Sequence, residues 1–173
     1  MSKNLEEKKV FDWLAKLDDQ GLRHVYENLK HFGKQHMNPR KRRRKSQFVG
    51  TREQVARTVR RTLQDSRRRR PGTLLAQSNS RSERALILAD IGAIIGHDID
   101  STACNWCAVV IGDDRHNPGQ PCIFTSFPTT EDYAMSRIPI GAQEPLLQAL
   151  QKGAQPPKPG ANRLAPSRLT RKK

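Results

Sequence analysis

Acidic residues are scarce where this chain is most basic. Between positions 40 and 70 only Glu53 and Asp65 oppose fourteen lysines and arginines, so the segment nets +12 of the chain's +15. Charge that dense repels itself, which excludes a stretch with no polyanionic partner and makes nucleic acid the first candidate. Aromatics are also sparse, at 5% of 173 residues, and Phe48 is the one aromatic inside the basic segment. Stacking platforms for successive bases are therefore excluded there, unless arginine planes take their place. Cysteine is rare and odd in number, at three, which argues against a disulfide framework and for a reducing compartment. No run approaches the roughly 18 to 20 apolar residues of a membrane span. The longest, Ala85 to Ile95, is interrupted by Asp90. Met1 to Lys9 is charged and has no apolar stretch of the kind a secretory signal carries. A soluble, intracellular protein without a membrane partner is expected.

What is present is segregated by charge. Residues 86–151 carry Arg115 and Arg137 against eight carboxylates, a net of −6, and basic residues return in the tail. Four segments are expected. Residues 1–38 form a helical hairpin that dimerises or meets a partner, and 39–72 an arginine-rich binding and import segment. Residues 73–152 make a small globular body, and 153–173 a disordered basic tail among Pro156, Pro157, Pro159 and Pro166. The fold class expected is mainly α, with a small α+β body holding a short β-hairpin.

The periodicities behind this are local. Leu5, Val10, Trp13, Leu14 and Leu17, then Leu22, Val25, Tyr26, Leu29 and Phe32, recur at helical spacing on either side of Asp18-Asp19-Gln20-Gly21. A helix-turn-helix pair and one long helix both fit. Thr51 and Gln54 stand in capping-box positions before a helix whose apolar edge is Val55, Val59 and Leu63, and Pro71-Gly72 ends it. Residues 73–81 read as a polar linker. Ser82 then caps a buried helix from Glu83 to Ile95. Ala108–Ile111 and Ile123–Phe127 read as strands, followed by a short helix from Thr129 and another over 143–151.

The basic segment supplies the candidate binding residues: Arg40, Lys41, Arg42, Arg43, Arg44, Lys45, Arg52, Arg57, Arg60, Arg61, Arg67, Arg68, Arg69 and Arg70. Guanidinium grips phosphate with two hydrogen bonds and stacks on bases, and each such contact releases counterions. The helix can sit in a widened RNA groove with arginines on both walls, or dock by its apolar edge with arginines outward. RNA is favoured over DNA because arginine-rich segments suit bulged and looped RNA. Pro39 to Lys45 is also the type of run that a nuclear import receptor reads, which places the protein in the nucleus. The acidic body is expected to compete for the basic arm.

The cysteines and a histidine spell C-x2-C-x8-H-x5-C, from Cys104, Cys107, His116 and Cys122. A Cys3His set suits tetrahedral zinc, so Zn2+ is the candidate cofactor. Against it, a hairpin of the two strands would hold Cys107 and Cys122 roughly 15 Å apart, and both fit as small buried apolar residues. Asp98, Asp100, Asp113 and Asp114 bracket this region and read either as cation ligands or as turn formers. No P-loop, dinucleotide fingerprint or nucleophile elbow occurs.

The composition resembles that of many small viral nucleic-acid-binding proteins. The expected function is non-enzymatic binding of nucleic acid in the nucleus, as an accessory or nucleocapsid-type protein. The competing expectation is a nuclear regulatory protein whose basic run is an import signal and whose body, 86–151, recruits a protein partner.

Overall fold

The computed structural model describes residues 5–78, 81 and 83–140. Ser82, the expected helix at 143–151 and the tail at 153–173 lie outside the described residues. Helix α1 (Glu7–His36) consists of two helical segments joined at Gly21, whose φ of 65° and ψ of −164° suit a residue without Cβ. Its apolar stripe, Val10, Trp13, Leu14 and Leu17 before the joint and Val25, Leu29 and Phe32 after it, is buried in the chain's own core. A short 3-10 turn (Pro39–Lys41) leads to strand β1 (Gln47–Phe48). Helix α2 (Arg52–Arg67) follows, with Thr51 and Gln54 closing a full capping box.

The remainder is mostly strand. In chain order it runs β2 (Thr73–Gln77), β3 (Ala85–Asp90), β4 (Gly96–His97), β5 (Ala103–Cys104), β6 (Trp106–Asp113), β7 (Pro121–Thr129) and the short helix α3 (Glu131–Met135). Four strands form an antiparallel sheet in the order β2-β3-β6-β7, and β1-β4-β5 form a small second one. The chain is thus α+β, not mainly α. Two misread segments account for most of the difference. Glu83–Ile95, expected as a buried helix, holds the inner strand β3, and 73–81, expected as a polar linker, holds the edge strand β2.

The physical reason lies in how β3 is covered. Ala85 and Ile87 face α1 and α2 together with Cys107, Val109, Ile111 and Ile123. Leu86 and Leu88 face the opposite side, with Ala76, Trp106, Ala108, Val110 and Ala134. A strand buried on both faces shows no alternation, so its sequence looks apolar all round, as a core helix does. Ile87 and Leu88 are both 0% exposed, and each such burial is worth about 2 to 3 kcal/mol. Strand β2 is half-buried along most of its length, which gives it a linker-like composition.

Candidate nucleic-acid interface

The basic run that follows α1 is held in a defined turn. Asn38 caps it, its side chain accepting from the Arg40 N–H at 3.1 Å. Buried Gln47 then clamps the loop: its amide nitrogen donates to Gln35 O at 2.7 Å and Lys45 O at 3.2 Å, and its amide oxygen accepts from the Asn38 N–H at 2.7 Å. His36 is buried beside it, with Nδ1 2.8 Å from Ser46 O and its ring against Phe127. Burial pushes the His36 pKa down, so the ring is neutral near pH 7 and its Nδ1–H donates to the carbonyl. Outside this clamp Arg40, Arg42, Arg43, Arg44 and Lys45 are all exposed, while Lys41 reaches back to Gln35 Oε1 at 3.1 Å.

Helix α2 docks onto the core through Val55, Ala56, Val59, Thr62, Leu63 and Ser66, a face wider than the Val55–Val59–Leu63 edge visible in the sequence. With that side committed, α2 does not enter a groove with arginines on both walls. It presents arginine on its outer side only. Much of that charge is already matched. Arg57 pairs with Glu53, Arg61 with Asp65 at 3.3 Å, and Arg70 with Asp65 at 3.6 Å. Arg67 pairs with Asp18 at 2.6 Å, and Arg69 with Glu7 at 2.7 Å while lying over the Phe11 ring. Partial burial of Asp18 opposes its ionisation, but hydrogen bonds from Gln64 and Arg67 and the nearby Arg67 and Arg60 charges outweigh it, and its pKa falls.

Fourteen candidates therefore divide into two groups. Arg57, Arg61, Arg67, Arg69 and Arg70 have carboxylate partners. Among the described residues Arg40, Lys41, Arg42, Arg43, Arg44, Lys45, Arg52, Arg60 and Arg68 have none. The partners are Glu7, Asp18, Glu53 and Asp65, from the two helices. The acidic body, expected to compete for the arm, directs Asp113 instead to α1, where it takes Trp13 Nε1 at 2.8 Å and Lys9 Nζ at 3.1 Å.

A groove of about 570 Å³ opens beside the basic turn, lined by Leu29, Lys30, Gly33, Lys34, Met37, Asn38, Pro39 and Arg52. Among the described residues every ionisable group in that lining is a cation. Sequence reading missed Lys30 and Lys34 because the net charge up to residue 39 is small. The signal was their i, i+4 spacing on the polar side of an amphipathic helix, one turn before a basic run.

The zinc candidates are not brought together. Cys104 lies in β5, Cys107 in β6, Cys122 in β7 and His116 in the turn between β6 and β7. Cys107 is paired with Pro128 and Cys122 with Gly112, which sets the two cysteines roughly 17 Å apart along the hairpin. Cys107 Sγ is 3.7 Å from Ser126 Oγ in the core, and burial pushes its thiol up to about 11. Among the described residues no three metal-ligating side chains cluster. Asp98 and Asp114 work locally, unlike Asp113, which reaches α1. Asp98 accepts from the Asp100 and Thr102 N–H groups at 2.9 and 2.8 Å, and Asp114 from the His116 N–H at 2.9 Å. No described helix is long and apolar enough to cross a membrane. Compared with protein-family models, curated proteins and solved structures, the chain matches none.

Proposed function

We propose that this protein is a non-enzymatic binder of nucleic acid, RNA in preference to DNA, acting through the basic turn and the adjoining start of α2. The observation that carries the reading is the set Arg40, Arg42, Arg43, Arg44, Lys45 and Arg52. All six are exposed and without a carboxylate partner among the described residues. Guanidinium and ammonium groups held in a clamped turn meet phosphates without first losing the entropy of ordering a loop. Contacts of this type are backbone-directed, so weak sequence preference is expected. The matched arginines add less, and two of them, Arg67 and Arg69, tie the end of α2 to α1.

If the six groups each neutralise one phosphate, log affinity falls against log salt with a slope of about −4 on single strands and about −5 on duplex DNA. Anisotropy titrations of labelled RNA and DNA with the full chain, over rising salt, test this. Replacing Arg42, Arg43 and Arg44 with glutamine flattens the single-strand slope by about 2. Failure to bind any RNA or DNA probe at low ionic strength refutes the reading. The same run, Pro39 to Lys45, fits recognition by an import receptor. Nuclear accumulation of the tagged protein, lost on the same triple replacement, is the expected outcome in cells.

A further inference from the structure

The geometry points to the groove between the end of α1 and the start of α2 as a site for an unpaired stretch of RNA. This assignment deepens the nucleic-acid reading above and rests on it. Among the described residues three cations line the groove, Lys30, Lys34 and Arg52, and no acid does. None of the three has a carboxylate partner among the described residues, although Arg57, Arg61 and Arg67 further along α2 do. The occupant is therefore anionic. The rest of the lining is largely apolar, with half-buried Met37, exposed Pro39 and the buried side chain of Leu29.

A volume of about 570 Å³ lies within the range of sites that enclose small molecules, and so matches a nucleotide or two. A duplex meets a protein with two rails of phosphate and keeps its bases stacked inside, so it has nothing to lay on an apolar surface. Looped or bulged RNA has splayed bases together with backbone charge. The combination in this groove, phosphate-binding groups around an apolar lining, fits that ligand. The groove also adjoins the basic turn through Asn38 and Pro39, so a strand leaving it runs directly onto Arg40 and Arg42.

The test uses the full chain and three variants at one salt concentration. The probes are a labelled oligouridylate, an RNA duplex of equal phosphate number and, as competitor, polyglutamate. The double variant K30Q/K34Q is expected to lose about tenfold in affinity for the oligouridylate and only about two- to threefold for the duplex. The variant R42Q/R43Q removes the same charge and is expected to weaken both probes alike. Met37→Ser leaves duplex binding unchanged and weakens the oligouridylate. Lys30 and Lys34 are exposed, so the fold tolerates their replacement. Photocrosslinking with 4-thiouridine RNA is expected to label the peptide containing Met37. Equal losses on both probes in K30Q/K34Q overturn the groove while leaving the broader reading intact. Polyglutamate competing as well as oligouridylate also overturns it, in favour of an acidic protein. Wild-type protein that binds no probe at all removes the reading on which the assignment stands.

Discussion

Asp18 joins the two helices, and removing its charge has two opposite consequences. Its carboxylate accepts from Gln64 Nε2 at 3.1 Å and from Arg67 at 2.6 Å, tying the first half of α1 to the last turns of α2. A hydrogen bond to a charged group contributes about 1.5 to 3 kcal/mol when well buried, whereas an exposed ion pair gives about 0.2 to 1 kcal/mol. The Asp18 side chain is 21% exposed and that of Arg67 40%, so Asp18→Asn is expected to cost about 1 to 2 kcal/mol. For a chain of this size that lowers Tm by about 3 to 6 °C. The pH dependence carries the sign. Because the folded pKa of Asp18 lies below its usual value, its stabilisation is complete above the ordinary carboxylate range, near pH 4. It disappears as pH falls through the lowered folded value. Urea unfolding of wild type and D18N should differ at pH 7, and the gap should shrink progressively as pH falls below about 4. The variant also releases Arg67, so its affinity for RNA should rise slightly. A gap between the proteins that is as large at pH 3 as at pH 7 refutes an electrostatic role for Asp18.

Two further outcomes follow from packing. A methyl group at Gly96 would meet Gln47 O and the Pro128 ring, at 2.6 Å from its Cγ, so Gly96→Ala is expected to destabilise by about 2 kcal/mol or more. Because β4 then separates from β1, the change should also loosen the Gln47 clamp and weaken RNA binding; unaltered chemical denaturation would contradict this. In Ellman titration of native protein at pH 8, half-buried Cys122 is expected to react first. Cys104 and Cys107 are 0% exposed, and burial, aided at Cys104 by the Asp98 charge, pushes both thiols up to about 11. All three should react promptly in denaturant. Three fast native thiols would rule out the burial described.

The start of α2 was the most legible part of the sequence, because its cap is written in adjacent residues, whereas the cap expected at Ser82 preceded a strand. Thr51 and Gln54 begin α2 where their spacing places it, and Gly21 interrupts α1 between its two apolar stripes. The sheet was harder to read. Ala85 to Ala89 is an unbroken apolar run rich in helix formers, and only its shortness, before Gly92 and Gly96, favoured a strand. The pairing of β3 with β2 and β6 depends on residues up to 26 positions away, which no local pattern encodes. At the interface, the basic turn was visible as composition, while the matching of Arg67 by Asp18 and of Arg69 by Glu7 spans 49 and 62 residues. Which arginines stay free is thus a tertiary property. Lys30 and Lys34 belong to the groove for the same reason, since only the docking of α1 beside α2 brings them next to Arg52.

The four-stranded sheet leaves one indole on each of its sides. Trp13 sits in the helix-facing core and donates to Asp113, while Trp106 lies in the opposite core with its Nε1 meeting no acceptor among the described residues. Each layer therefore carries its own intrinsic fluorophore, in a distinct polarity. Single-tryptophan proteins made by W13F and W106F would report separately on the two halves of the interior during denaturation, and coincident emission curves would mark the layers as one cooperative unit.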